Sequence, residues 1–472
     1  MAGPWNITGL SRVSRVFFRI LVAMATWGCL MWGATPALAD VLYSYGFNAR
    51  GIALGGAASA QSKDFGVAYY NPAGGILLGQ PALGAGFMRT GSDLSTNGDD
   101  ALTLESTEGV VLGAVLPLPF GSWLEDRLAI GFAAFLPQGV FLALDVPYPE
   151  VPQFALLRNS GRQATILPTA SLRIFDGLAI GGGAQLFSNT NGSINAVIDA
   201  NGDVQTLVGQ EVYSSFAPTY GIFFKPGEFN ALQALDGFGL GLVFREEFFM
   251  RYRIPLNTYL GVTPIELIFN ATSLYTPRQW AAGLSYEWEK TIVEVDASYN
   301  EWRKYPNPNL YVDVDFTIPL LNVVFIDSVV YEPNFHDTFT VRGGVERRVH
   351  ESDLWAINTQ LGYFYDPSPV PPQSGVTNYL DNDRHVGSAG IGFDMYRIGS
   401  YEFDGPITIQ AFGQVHYLVP RKMWKDTSVD HDNPGYPYID SRGWIYAGGV
   451  NVSFMFDYEL DSNKDKPRVE VH

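Results

Sequence analysis

Residues 279–300 read Gln279-Trp280-Ala281-Ala282-Gly283-Leu284-Ser285-Tyr286-Glu287-Trp288-Glu289-Lys290-Thr291-Ile292-Val293-Glu294-Val295-Asp296-Ala297-Ser298-Tyr299-Asn300. Trp280, Ala282, Leu284, Tyr286 and Trp288 fall on one face at period two, with Gln279, Gly283, Ser285 and Glu287 on the other. After Glu289-Lys290 the pattern resumes, Val293, Val295, Ala297 and Tyr299 standing against Glu294, Asp296, Ser298 and Asn300. These are two strands of about ten residues, each with one apolar face, one polar or small face and aromatics near the ends. A transmembrane β-barrel is built from such strands. A soluble sandwich also alternates, so the pattern alone does not decide between them.

The same alternation recurs. Ile407, Ile409, Ala411, Gly413, Val415 and Tyr417 oppose Thr408, Gln410, Gln414 and His416, and Trp444, Tyr446, Val450, Val452, Phe454 and Phe456 oppose Asn451, Ser453 and Asp457. Fourteen strands are expected, centred near residues 86, 113, 131, 168, 183, 219, 245, 282, 297, 343, 360, 391, 411 and 450. Short links are expected near 121–126, at Asp176-Gly177, at Glu289-Lys290 and around 349–353, with a longer one at 226–237. Long links occupy 138–160, 190–211, 253–275, 305–336, 366–385 and 419–442. Strict alternation of short turns and long loops is the mark of an even-stranded outer-membrane barrel, and a sandwich has no reason for it.

Composition agrees. The 472 residues are 47% hydrophobic and 17% charged, against about 25% charge in ordinary globular chains. That is too little polar surface for several soluble domains. Mean hydropathy is +0.03, and beyond the N-terminal segment no run of about 18 apolar residues is free of charges or turn residues, so membrane helices are excluded. At the N-terminus, Arg12, Arg15 and Arg19 precede an apolar run from Ile20 to Gly33 and then Ala37-Leu38-Ala39. This reads as a signal peptide, residues 1–39, cleaved before Asp40. Its removal takes away the only cysteine, Cys29, and leaves 27 basic and 48 acidic side chains, a net charge of −21. A disulfide framework, a thiolate metal site and nucleic-acid binding are all excluded on that basis.

Residues 40–80 break the strand pattern: they are rich in Gly and Ala and contain Tyr69-Tyr70-Asn71-Pro72-Ala73-Gly74-Gly75, which is turn chemistry. Forty residues ahead of the first strand are enough to fill a barrel. The segment, with Leu54-Gly55-Gly56-Ala57 and Asn71-Pro72-Ala73-Gly74, resembles the N-terminal hatch of the FadL/TodX-type outer-membrane transporters of long-chain fatty acids and other hydrophobic compounds. Pro168 to Gly183, Pro277 to Trp302, Gly362 to Pro371 and the stretches Asp381 to Arg384 and Ser388 to Gly392 resemble further parts of that family in the same order. The chain departs from it after Phe456, where a polar tail, 458–472, follows the barrel of residues 81–457.

The resemblance implies a passive, monomeric outer-membrane transporter in contact with lipid and lipopolysaccharide, with no cofactor. Solute would be captured among long loops, passed to a plugged lumen and released sideways near a kinked third strand. On this sequence the loop groove would use Tyr259, Leu260, Ile265, Leu267 and Phe269; the kinked strand would carry Gly131 and Pro137; and Arg342 or Arg245 would hold a carboxylate head group or pin the plug. A barrel that anchors or shuttles secreted proteins is the alternative. Asp199, Asn201 and Asp203 have calcium-loop spacing, but Val204 stands where the glycine belongs and Gln210 where the glutamate belongs, so Asn201-Gly202 reads as a hairpin tip and no metal site is expected. Asp430-His431-Asp432 reads as a solvated acidic loop. With no Gly-x-Ser-x-Gly elbow and no His/Ser pair in a recognisable motif, an enzyme is not expected.

Overall fold

A computed structural model of the chain describes residues 41–97, 106–118, 126–138, 152–154, 156–157, 164–198, 204–260, 263–308, 311–316, 326–327, 332–373, 377–425 and 437–456. The proposed signal peptide, the Asp199–Asp203 tip, Asp430-His431-Asp432 and the polar tail lie outside them.

The strands are β1 (Ala82–Thr96), β2 (Glu108–Leu118), β3 (Leu128–Pro137), β4 (Thr165–Phe175), β5 (Leu178–Ile198), β6 (Val204–Phe224), β7 (Phe238–Arg245), β8 (Phe248–Leu260), β9 (Thr263–Thr276), β10 (Gln279–Trp288), β11 (Thr291–Asn300), β12 (Tyr311–Phe316), β13 (Ile326–Asp327), β14 (Thr338–Glu351), β15 (Trp355–Asp366), β16 (Arg384–Ile398), β17 (Tyr401–Trp424) and β18 (Tyr438–Met455). Fourteen of them form one antiparallel ring: β1 to β7 in sequence, then β10, β11 and β14 to β18, with β18 returning to β1. Closure is complete, β1 pairing along its length from Ala82↔Met455 to Thr96↔Ser441. No strand edge in the ring is left for another chain to pair with.

Alternation sets what each face does. In β10, Trp280, Leu284, Tyr286 and Trp288 are exposed on the outside, whereas Ser285 is buried. In β11, Val295 and Tyr299 are exposed while Glu294, Asp296, Ser298 and Asn300 are buried, each polar residue on the side the sequence assigns it. Turns on one rim are tight: Asp176-Gly177, Glu289-Lys290, residues 352–354 and Gly399-Ser400. Gly177 sits at φ 82°, a backbone region open to glycine that lets two residues reverse the strand.

The opposite rim carries more strand than expected. The stretches 190–211 and 253–275 were read as loops, but β5 and β6 run on as one hairpin as far as Ile198↔Val204. Residues 248–276 form a second hairpin, β8–β9, outside the ring. It is held by a short parallel contact to β5 at Ile194↔Leu256 and by β12, which pairs with β9. The Ile, Phe, Tyr and Thr side chains along both arms of the 253–276 stretch favour such pairing over irregular loop. Among the described residues no helix is long and apolar enough to cross a membrane.

If the outer face meets hydrocarbon, Leu284→Arg at mid-strand should destabilise the barrel by about 2–4 kcal/mol and Thr291→Arg at the rim by about 0–1 kcal/mol. Urea unfolding of vesicle-folded protein measures both.

Candidate functional site

The lumen is filled by residues 41–79. They form three short helices, Val41–Ser44, Ala49–Ala53 and Val67–Tyr70, and a 3-10 helix, Pro72–Leu78. The segment touches β1, β2, β4 to β7, β10, β11 and β14 to β17, chiefly through their inward glycines and side chains. A segment that meets strands all round a closed ring on the faces opposite the exposed apolar side chains lies inside it.

Close approach is made possible by missing side chains. A β-carbon on Gly84 or Gly113 would collide with the Phe65 ring, one on Gly221 with Asn71, one on Gly181 with the backbone of Pro72-Ala73, and one on Gly362 with that of Leu54-Gly55. The inward glycines therefore form a belt on which the segment's backbone rests.

Within that belt Asn71 ties the segment to the wall. Its Nδ2 donates to Ser59 O (2.8 Å) and to Ile222 O of β6 (3.0 Å), and its Oδ1 accepts from Ala73 N (3.1 Å). One fully buried amide thus joins two parts of the segment to the wall while capping the 3-10 helix, which begins with Pro72. Gly74 N donates to Asn71 O (3.0 Å), and Gly74 O accepts from Ser62 Oγ (2.6 Å). All four residues of the Asn71–Gly74 motif are buried.

β11 supplies the charges. Asp296 Oδ2 accepts the amides of Ala58 (3.3 Å) and Ser59 (3.2 Å), and Glu294 Oε1 accepts that of Ala60 (2.6 Å). From the segment, Arg50 Nε donates to Glu346 of β14 (2.7 Å). Arg245 is engaged: its guanidinium donates to Gln279 (2.6 Å) and to the carbonyls of Tyr69 (2.9 Å) and Tyr70 (3.0 Å) and lies over the Tyr69 ring. Arg342 differs. It stacks on Phe364, 4.6 Å from guanidinium carbon to ring centre, and borders a cavity with Tyr43, Tyr45, Arg245 and Asp296. Sequence reasoning put Glu294 and Asp296 on the polar face of their strand but missed Arg50, which sits in a segment with no periodicity to flag it.

Toward the long-loop rim the cavity meets an aromatic cluster of Tyr275, Trp302, Tyr305, Phe335 and Tyr379, with Tyr43 against Trp302 at 5.9 Å and Tyr305 stacked on Phe335 at 4.4 Å. A smaller apolar group, Phe187, Ala217, Phe248, Met250 and Leu274, lies at the base of β8–β9. Tyr259, Leu260, Ile265, Leu267 and Phe269 fall further out on that hairpin, paired as Tyr259↔Pro264, Leu260↔Thr263, Thr258↔Ile265, Leu256↔Leu267 and Ile254↔Phe269.

Gly131 lies inside unbroken pairing, opposite Val115 on β2 and Thr169 on β4, and Pro137 ends β3 opposite Gly109. The wall is interrupted one pair of strands further on. Between β4 and β5 the ladder passes from Ile166↔Leu186 to Thr169↔Gly183, leaving Leu167 and Pro168 of β4 unpaired with Gln185 and Ala184. Pro168 has no N–H to give. On the other side of β5, Ala184 faces a second proline, Pro218 of β6.

Two outcomes follow. Asn71→Ala should cost about 1–3 kcal/mol of segment stability through its stranded carbonyl partners, read as faster amide exchange over residues 58–75 with strand protection kept. Burial pushes the carboxyl of Asp381, in the loop that covers the aromatic cluster, up to about 6. A raised folded value means its stabilising contribution is complete below about pH 4 and is lost as pH rises through 6. Exchange over residues 366–385, corrected for intrinsic rate, should therefore quicken between pH 4.5 and 7, and Asp381→Asn should remove that dependence.

No family model and no curated protein matches the sequence. Solved structures do match the fold. A Pseudomonas aeruginosa FadL homologue aligns over 87% of this chain and 98% of its own at TM-score 0.55 and 14% identity. A TodX mutant described as a monoaromatic hydrocarbon channel aligns over 87% and 99% at 0.50 and 14%, and the Ralstonia pickettii toluene transporter TbuX over 88% and 99% at 0.48 and 12%. The chain thus has the closed fourteen-stranded fold of a FadL homologue, along nearly the whole of that protein.

Proposed function

We propose that this protein is a Gram-negative outer-membrane channel for hydrophobic molecules, long-chain fatty acids or aromatic hydrocarbons, in which residues 40–80 act as a hatch and solute leaves sideways into the bilayer. The observation that supports the reading is the segment seated against the inward faces of the ring. Held by Asn71, Arg245, Glu294 and Asp296, it would close a straight aqueous path, and the aromatic and apolar clusters beside it would offer a greasy solute its way in. A greasy solute returned to water loses about 0.8 kcal/mol per methylene, so a path that keeps it against apolar side chains and ends in lipid favours such a solute over a polar one. The fold shared with the FadL homologue supports the same reading.

Arg342 would receive a carboxylate, since its guanidinium borders the cavity and lies over the Phe364 ring. For the sideways exit, the gap in pairing at Leu167-Pro168 and Gln185-Ala184 favours the β4–β5 seam over Gly131. The flanking pairs put Leu167 and Gln185 in register opposite each other.

Leu167→Cys with Gln185→Cys, in a background lacking Cys29, tests this. Oxidation should slow uptake of labelled fatty acid or hydrocarbon by cells several-fold and reduction should restore it, while the paired control Ala282→Cys with Ala297→Cys has no effect. Unchanged uptake in the bridged seam variant would sink the seam; uptake no faster than in cells lacking the protein would sink the transport reading itself.

A further inference from the structure

Among the fully described links on the short-turn rim, the β6–β7 link is the exception. Four other turns there have two or three residues, but this one runs from Lys225 to Gly237 and folds into 3-10 turns at Pro226–Glu228 and Asn230–Leu235. Its centre, Phe229-Asn230-Ala231-Leu232-Gln233-Ala234-Leu235, has no charge. Every one of those residues is exposed, including Phe229 (42%), Leu232 (37%) and Leu235 (42%). Three large apolar side chains held in water by an ordered turn need a partner.

The turn is two-sided. Lys225, Glu228 and Asp236 line a cavity at the mouth of the lumen with Lys63 and Glu287, whereas Phe229, Leu232 and Leu235 take no part in it. The turn is also fixed in place, Lys225 N donating to Gly177 O (2.7 Å) and Glu287 N to Gly237 O (2.8 Å).

Where the apolar side points follows from β4. A register shift between Arg173 and Phe175 moves Phe175 to the outer side, opposite Leu178, which in turn pairs with Phe224. Phe229 packs on Phe175 with ring centres 5.4 Å apart. The exposed apolar side is thus continuous with the outer wall, where Ile222, Leu240 and Leu242 are exposed just above it.

From this we infer that the 229–235 turn is an interfacial foot, which lays Phe229, Leu232 and Leu235 into the headgroup boundary of the leaflet on the short-turn side. The occupant is lipid because the face continues the surface that already meets lipid and carries no charge to recognise a soluble partner. The inference rests on the barrel being membrane-embedded, not on what it transports.

The test uses the full chain without Cys29, folded into phosphatidylethanolamine/phosphatidylglycerol vesicles. A nitroxide is attached at Leu232→Cys, at the wall control Leu240→Cys and at the cavity control Glu228→Cys. Collision with oxygen and with a water-soluble nickel chelate is then compared, the heat-dependent gel shift confirming that each variant has folded. The Leu232 label should resemble the Leu240 label, with oxygen accessibility several-fold above that to nickel, and the Glu228 label should show the reverse. A Leu232 label as open to nickel as the Glu228 label would overturn the foot and leave the face free for a soluble protein. A Leu240 label open to nickel would instead overturn the membrane reading on which the foot rests.

Discussion

The amides of Ala58, Ser59 and Ala60 are buried in the middle of a ring whose strands have already spent their own backbone groups on one another. A buried N–H without a partner is costly, and these three are satisfied by side chains, the carboxylates of Asp296 and Glu294. Two acidic residues on adjacent inward positions of β11 are therefore the condition for a peptide to occupy the lumen at that level. Arg245 does the same in reverse by donating to the carbonyls of Tyr69 and Tyr70. The segment is held by its backbone polar groups as much as by apolar contact, and its side chains are small where it crosses the wall.

This division of labour explains why the wall is glycine-rich on the inside and aromatic on the outside. Inward glycines such as Gly181, Gly221 and Gly362 make room for peptide backbone, while outward Trp280, Tyr286 and Trp288 present area to an apolar surroundings. Pro168 and Pro218 flank Ala184 on neighbouring strands. Such residues are ordinarily confined to edges and bulges, and their presence within a closed ring goes with two pairs missing from the β4–β5 ladder.

Much of this was legible in the sequence, for reasons that differ by element. Strict alternation in 279–300 fits a barrel or a sandwich, and it is the spacing of short turns and long links that decides for the ring and so makes Glu294, Asp296, Ser298 and Asn300 the inward set. The Asn71-Pro72-Ala73-Gly74 motif was visible as turn chemistry, though its partners Ser59 and Ile222 were not, because a contact between an aperiodic segment and a strand 151 residues away leaves no local trace. The 253–275 run was misread as loop since hairpins outside a barrel share their composition with apolar loops. Arg50 was overlooked for want of any pattern around it. Arg245 and Arg342 look alike in sequence, and only their neighbours separate the one that binds the Tyr69 and Tyr70 carbonyls from the one that lies over the Phe364 ring, both bordering the same cavity.

The account stands on passive movement of apolar solute through this chain. Initial uptake of a labelled long-chain fatty acid and of an aromatic hydrocarbon, in cells with and without the protein and after collapse of cellular energy, tests it most directly. Faster entry of at least one solute with the protein present, undiminished without energy, is the result predicted. Identical entry of both in the two strains would contradict it.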